Sequence, residues 1–124
     1  MARILVIDDE ANIRSLYKRI LEQAGHDVRE AVDGSQGTTL YRQHGADLVI
    51  TDILMPQKEG IETIMELRRD FPQVKIIAIS GGGQTMSSST CLHLAKRLGA
   101  IKTLAKPFSR QELLNAVQEA LDGR

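Results

Sequence analysis

Aromatic residues are scarce in this 124-residue chain, which has two Tyr, two Phe and no Trp. The formal net charge is zero, so the chain also lacks the basic surface with interleaved aromatic rings that binds nucleic acid, and we expect no nucleic-acid partner for this domain. No apolar run approaches the roughly 20 residues that cross a bilayer, so no membrane association is expected. A single cysteine, Cys91, excludes an internal disulfide and favours a reducing, cytoplasmic location.

The composition that remains is that of an ordinary globular protein. Hydrophobic residues make up 42% of the sequence and charged residues 26%, which are typical values for a folded domain. A chain of this length can bury a core of its own, so we expect residues 1–124 to form one domain.

Short apolar runs alternate with helical patterns along the whole chain. We predict strands near 3–7, 27–31, 47–51, 74–79 and 101–105, and helices near 10–24, 34–44, 60–70, 87–98 and 109–121. Strict alternation of strands and helices predicts an α/β fold in which helices cover both faces of a parallel sheet. Helix ends are marked by Gly25, Gly45 and Gly99, and Ser109 with Glu112 predicts a capping box at the last helix.

Polar side chains follow four of these predicted strands. Asp8 and Asp9 follow the first strand, Asp52 the third, Ser80 the fourth and Lys106 the fifth. The carboxyl ends of parallel strands share one edge of the sheet, and ligands bind at that edge in open α/β folds. We therefore expect three carboxylates, a hydroxyl and an ammonium group to lie close together.

Crowded carboxylates repel one another unless a cation compensates them. Magnesium suits such a site, because it takes oxygen ligands and is held by one or two carboxylates together with phosphate oxygens and water. Three Asp, one Mg²⁺ and Lys106 carry no net formal charge, so the site could receive a phosphoryl group without a large opposing field. An Asp carboxylate can itself act as the nucleophile that accepts a phosphoryl group.

The order and spacing of these residues resemble the receiver domain of two-component response regulators, over nearly the whole chain. The resemblance implies a flavodoxin-like (βα)5 doubly wound sandwich with the strand order 2-1-3-4-5. The motifs that carry it are Asp8-Asp9, Asp52-Ile53-Leu54-Met55-Pro56 with Gly60 beyond, Ser80, and Lys106-Pro107-Phe108.

The resemblance also implies a role for each site residue. Asp52 would be the phosphoacceptor. Asp9 and Asp52 would bind Mg²⁺ directly, the backbone carbonyl of Leu54 would be a third protein ligand, and Asp8 would act mainly through water.

Two further residues would contact the phosphoryl group itself. Lys106 would pair with its oxygens, and Ser80 would donate a hydrogen bond as the switch hydroxyl. In this family the peptide bond at the position of Lys106-Pro107 is commonly cis, and a bond that precedes proline permits this.

As a receiver, the chain would be a signalling phosphoacceptor of a phosphorelay rather than an enzyme acting on other substrates. Its partners would be a sensor histidine kinase or phosphotransfer protein and an unidentified downstream protein, and we expect a monomer or weak dimer.

A Mg²⁺-dependent phosphohydrolase using an aspartyl intermediate is the alternative function. A third interpretation is a binding module whose acidic edge only holds a structural cation. Taken singly, Asp9 could cap the first helix and Lys106 could be a solvated lysine.

Two positions depart from the family pattern. Thr103 stands three residues before the lysine, where chemotaxis-type receivers carry the aromatic ring whose rotation reports phosphorylation. The Gly-rich and Ser-rich segment 81–89 is also longer than is usual, and we expect it to be the segment that phosphorylation orders.

Overall fold

The computed structural model describes residues 2–53, 59–80, 96–97 and 99–123. Within them the chain forms the strands β1 (Arg3–Ile7), β2 (Asp27–Ala31), β3 (Leu48–Asp52), β4 (Ile76–Ser80) and β5 (Lys102–Ala105). The helices are α1 (Ala11–Gln23), α2 (Gly34–His44), α3 (Glu59–Asp70) and α4 (Arg110–Asp122). Nearly all of the predicted helix near 87–98 lies outside the described residues, as do Leu54, Cys91 and the segment 81–89.

All five strands pair in parallel, in the order β2-β1-β3-β4-β5. This order confirms the fold that the resemblance implied. It places the carboxyl end of β3 between those of β1 and β4, so that residues at the ends of these strands become neighbours.

Two layers of apolar side chains enclose the sheet, because successive residues of a strand point to opposite faces. In β1, Val6 belongs to the cluster on the α1 and α4 side, and Leu5 belongs to the cluster on the α2 and α3 side. The central strands β3 and β4 are buried at every position. Continuous apolar runs in the sequence reflect this burial on both faces.

The strand ends differ slightly from the prediction. Asp52 and Ser80 are the last residues of β3 and β4 rather than the first residues beyond them. The parallel hydrogen bonding continues past the apolar runs, since Ile53 N donates to Ile79 O at 2.9 Å and Lys106 N donates to Ser80 O at 2.8 Å. Backbone pairing does not require an apolar side chain, so the run of apolar residues ended before the strand.

The signals predicted at the ends of α1 and α2 and at the start of α4 are confirmed, while the helix before Gly99 lies mostly outside the described residues. Gly25, Gly45 and Gly99 have positive φ values of 95°, 66° and 126°, and Ser109 and Glu112 form the capping box of α4. The peptide bond between Lys106 and Pro107 is cis. None of the helices in the described part of the chain has the length and apolar character needed to span a membrane.

Candidate functional site

Asp52 and Lys106 meet at the carboxyl edge of the sheet. Lys106 Nζ lies 3.0 Å from Asp52 Oδ2, and Asp52 is only 7% exposed. Asp52 ends β3 and Lys106 follows β5, so the lysine side chain reaches across the end of the intervening β4. Two residues that are distant in sequence are therefore brought together as predicted.

The surroundings of Lys106 keep its side chain protonated. Burial opposes the charge of this ammonium group, but the hydrogen bond and the negative charge of Asp52 outweigh that effect. The charges of Asp8 and Glu10 add to it, and the pKa of Lys106 is raised. The group is thus a permanent cation at neutral pH, beside the carboxylate of Asp52.

Asp8 is a buried carboxylate that lacks full compensation. It is 1% exposed, and its Oδ1 accepts a hydrogen bond from Glu10 N at 2.8 Å. Its Oδ2 has no hydrogen-bond partner among the described residues. Burial raises the pKa of Asp8 to about 6, with the charges of Asp52 and Asp9 adding to the shift and the Glu10 N–H and Lys106 opposing it.

The acidic residues at the end of β1 form a group with the geometry of a cation site. One carboxylate oxygen each from Asp8, Asp9 and Glu10 lies within 4.8 Å of the others. Carboxylate oxygens are the ligands that hard divalent cations prefer. Asp8 Oδ2 is buried, has no hydrogen-bond donor among the described residues and lies next to further carboxylates. A bound cation would interact favourably with this oxygen, so these residues fit Mg²⁺.

The alternative roles of Asp9 and Lys106 receive no support from this geometry. The N-cap position of α1 is Glu10 rather than Asp9, and the turn is closed by Asp8, whose side chain accepts from Glu10 N. Lys106 is paired with Asp52 and is not a fully solvated lysine.

Ser80 ends β4, the strand that lies between the strand of Asp52 and the strand that precedes Lys106. It is fully buried. Its backbone oxygen accepts from Lys106 N at 2.8 Å, which fixes the start of the lysine-bearing segment. The structure thus brings Asp8, Asp9, Asp52, Ser80 and Lys106 to one edge, while Leu54 lies outside the described residues.

Arg14 supports the acidic turn, although no sequence pattern singled it out. Its Nη1 donates to the backbone oxygen of Asp8 at 2.8 Å, and its Nε lies 3.3 Å from Glu30 Oε1. The arginine therefore ties the turn after β1 to the neighbouring strand β2. The only sequence signal was its place one helical turn beyond Glu10, which is too common to be informative.

Two aromatic rings pack beside the site. The rings of Tyr17 on α1 and Phe108 are stacked with their centroids 5.7 Å apart. Burial raises the pKa of Tyr17, and the charges of Asp8, Asp52 and Glu10 add to this effect. The pair joins α1 to the segment that carries Lys106.

Gly60 is required by a close approach of the backbone. A Cβ atom at this position would overlap the backbone oxygen of Asp52 and the backbone of Ile53. The glycine lets the first turn of α3 pack directly against the end of β3. This close approach of the two backbones explains why position 60 holds a glycine.

A parallel sheet with several carboxylates and a lysine at its carboxyl edge defines an α/β protein with an acidic site at that edge. Similarity to known proteins identifies the family within this class. The chain matches the response regulator receiver domain family over residues 4–118 and belongs to that family. Receiver domains of two-component systems generally bind Mg²⁺ and interact with histidine kinases and downstream effectors.

Relatives of known sequence agree with this assignment. The chain is 36% identical over 121 residues to the chemotaxis protein CheY of Bacillus subtilis (strain 168), covering 97% of this chain and 98% of the relative. It is 35% identical to the transcriptional regulatory protein CpxR of Klebsiella pneumoniae subsp. pneumoniae (strain HS11286), where 98% of this chain covers 50% of the relative.

Solved structures agree as well. A response regulator receiver domain protein from Clostridium thermocellum superposes with a TM-score of 0.90 at 32% identity, covering 99% of this chain and 96% of the other. The receiver domain of NtrX from Brucella abortus gives a TM-score of 0.89 at 30% identity, covering 98% and 99%. The family and the fold that the sequence motifs implied are thereby confirmed.

Proposed function

We propose that Asp52 accepts a phosphoryl group from a histidine kinase or phosphotransfer protein, in a Mg²⁺-dependent reaction of a two-component phosphorelay. The observation that supports this most directly is the 3.0 Å contact between Lys106 Nζ and Asp52 Oδ2, made beside the buried Asp8. Lys106 can compensate the charge of an incoming phosphoryl group at Asp52, and a bound cation would offset the charge of the neighbouring acids.

In the proposed step an Asp52 carboxylate oxygen attacks the phosphorus atom, and the bond from phosphorus to the donor breaks. The carboxylate needs no base, because it is the anionic form that attacks. Lys106 exchanges part of its contact with Asp52 for the phosphoryl oxygens and compensates their charge. Transfer of this type depends mainly on positioning and on charge compensation, which these two residues provide.

The cation would be held by Asp9 and Asp52 directly, by the backbone carbonyl of Leu54, and by Asp8 mainly through water. When bound, Mg²⁺ would supply further compensation for the phosphoryl oxygens. Asp8 and Asp9 would contribute from the turn that follows β1 (Arg3–Ile7), and Asp52 from the last position of β3.

Ser80 would be the residue that senses the phosphoryl group, by donating a hydrogen bond to one of its oxygens. Thr103, which pairs with Ala78 across the β4–β5 ladder, cannot fill and vacate the space of a ring. The change that alters contacts with a downstream protein would therefore start at Ser80. We propose one receiver domain over residues 1–124, acting as a monomer or weak dimer.

Incubation with acetyl phosphate and Mg²⁺, followed by intact mass measurement, tests the proposal. The wild type should gain the mass of one phosphoryl group, and Asp52→Asn should gain none. Asp27→Asn, at an exposed position of β2, serves as a matched control and should be phosphorylated normally.

The same experiment addresses the alternatives. Turnover of phosphate esters without a lasting adduct would favour a phosphohydrolase. Absence of an adduct with every donor, including a histidine kinase, would favour a module that only binds a cation.

A further inference from the structure

We infer that Glu10 is an additional residue of the cation site, where its carboxylate holds a water molecule of the bound Mg²⁺ and strengthens binding. This inference rests on the magnesium site of the proposed function. It assigns a role to a third consecutive acid, beyond the Asp8-Asp9 pair.

The position of the Glu10 side chain supports this role. One of its carboxylate oxygens lies within 4.8 Å of an oxygen of Asp8 and an oxygen of Asp9. Two ligands of one magnesium ion are at most about 4.2 Å apart, twice the usual Mg–O distance. The three oxygens are therefore nearly close enough to share one ion directly.

Contact through water is the better fit for Glu10. Its side chain is exposed, and Mg²⁺ gives up its water reluctantly and keeps several water ligands in proteins. An exposed carboxylate at the rim of the group can accept a hydrogen bond from one of those water molecules. Groups that hold metal ligands in this way commonly affect metal affinity.

Asp8 gives an independent sign that a cation belongs here. Its Oδ2 is buried and has no hydrogen-bond partner among the residues that the structure describes, and an unsatisfied buried carboxylate oxygen is costly. Glu10 is joined to this residue directly, because its own backbone N–H donates to Asp8 Oδ1 at 2.8 Å.

The formal charges of the site favour the same conclusion. Among the described residues, Asp8, Asp9, Glu10 and Asp52 bring four carboxylates to an edge that also holds the ammonium group of Lys106. When a divalent cation is bound, these groups still carry a net charge of minus one. A site that includes Glu10 therefore attracts the ion more strongly than a site with three acids would.

A purely structural role for Glu10 makes a different prediction. Glu10 stands at the N-cap of α1, and its side chain makes no capping hydrogen bond within the described residues. A negative charge at a helix N-terminus contributes about 0.3–1 kcal/mol to stability. If that were its whole role, removing the charge would lower stability slightly and leave Mg²⁺ affinity unchanged.

Calorimetric titration with MgCl₂ distinguishes the two roles. Glu10→Gln should weaken Mg²⁺ binding by about tenfold, in the range reported for residues that hold metal ligands. Glu10→Asp, which keeps the charge on a shorter side chain, should recover part of the affinity. Glu22→Gln, at an exposed position of the same helix, is the matched control and should bind like the wild type, while Asp8→Asn should lose most of the binding.

The outcomes separate this inference from the proposed function. An unchanged Mg²⁺ affinity in folded Glu10→Gln overturns the inference, whether or not Asp52 is phosphorylated. Weakened binding in Glu10→Gln together with an unphosphorylated wild type supports the inference and overturns the phosphoacceptor proposal. A wild type that binds no Mg²⁺ overturns both.

Discussion

At the scale of single residues, the site depends on buried charges that compensate one another incompletely. The ammonium group of Lys106 lies 3.0 Å from Asp52 Oδ2. Asp8, by contrast, keeps one buried oxygen without a hydrogen-bond donor among the described residues. A buried carboxylate is tolerated when a partner offsets its charge. In the proposed mechanism, this incomplete compensation favours the binding of a cation and then of a phosphoryl group.

Lys106→Met should leave the fold intact and slow the phosphorylation of Asp52 by about a hundredfold, the usual effect of losing one group that stabilises charge in a transition state. Intact mass measured at intervals after adding acetyl phosphate gives the rate. Lys102→Met is a matched control on β5, because Lys102 pairs with Glu119 at 2.8 Å away from the site. Equal rates in the two variants would contradict the role given to Lys106.

At the scale of secondary-structure elements, the turn between β1 and α1 carries most of the acidic residues of the candidate site, namely Asp8, Asp9 and Glu10. It is held by contacts from outside the turn, chiefly the bond from Arg14 to the backbone oxygen of Asp8. Because Arg14 is also paired with Glu30 on β2, the turn is connected to the neighbouring strand as well as to α1. Its geometry is a property of two strands and one helix together.

Arg14→Met should lower the free energy of unfolding by about 1–3 kcal/mol, because it removes a hydrogen bond from a charged donor and leaves Glu30 with one fewer cation. Denaturation by urea, monitored by circular dichroism, provides the measurement. Arg19→Met changes an exposed arginine on the same helix and should cost much less. A loss in Arg14→Met no larger than that of Arg19→Met would show that the contact does not stabilise the turn.

Most of the fold was predictable from the sequence, because the signals that specify it are local. The apolar runs of buried strands, the glycines after helices and the Ser109–Glu112 capping box each lie within a few residues. The strand order was not readable from those signals and came from the resemblance. The strand ends at Asp52 and Ser80 were misplaced by one residue, because backbone pairing continues under a polar side chain.

The candidate site was predictable in its central residues and not in its supporting ones. Asp52 and Lys106 stand out because each follows an apolar run. Arg14 and Glu10 do not, since charged residues are common on the exposed side of a helix such as α1. The roles inferred for them rest on distances across the turn, which only the folded chain shows.

At the scale of the whole molecule, the two edges of the sheet differ in character. The carboxyl edge holds the acids and Lys106, and the opposite edge is closed by hydrogen bonds between chain segments. There Ala2 N donates to His26 Nδ1 at 3.2 Å, a bond that requires the neutral form of that ring nitrogen. Stability at acidic pH therefore depends in part on His26.

The pKa of His26 is lowered, mainly by burial. The unfolded chain takes up a proton below about pH 6.5, and the folded chain resists that protonation, so the unfolded state binds more protons in this range. The stability of the wild type relative to His26→Asn should therefore fall as the pH is lowered from about 6.5, because the contribution is present above the unfolded pKa. Urea denaturation of both proteins across this range tests it, and a difference in stability that stays constant with pH would contradict the expectation.

Borohydride reduction of the phosphorylated protein, followed by peptide mass mapping, tests the central proposal most directly, because it converts an aspartyl phosphate into homoserine at the modified position. After incubation with acetyl phosphate and Mg²⁺, we expect conversion at residue 52 and nowhere else, and none when the cation is chelated. Conversion at another acidic residue, or an unmodified Asp52 in a folded protein supplied with donor and Mg²⁺, would contradict the account.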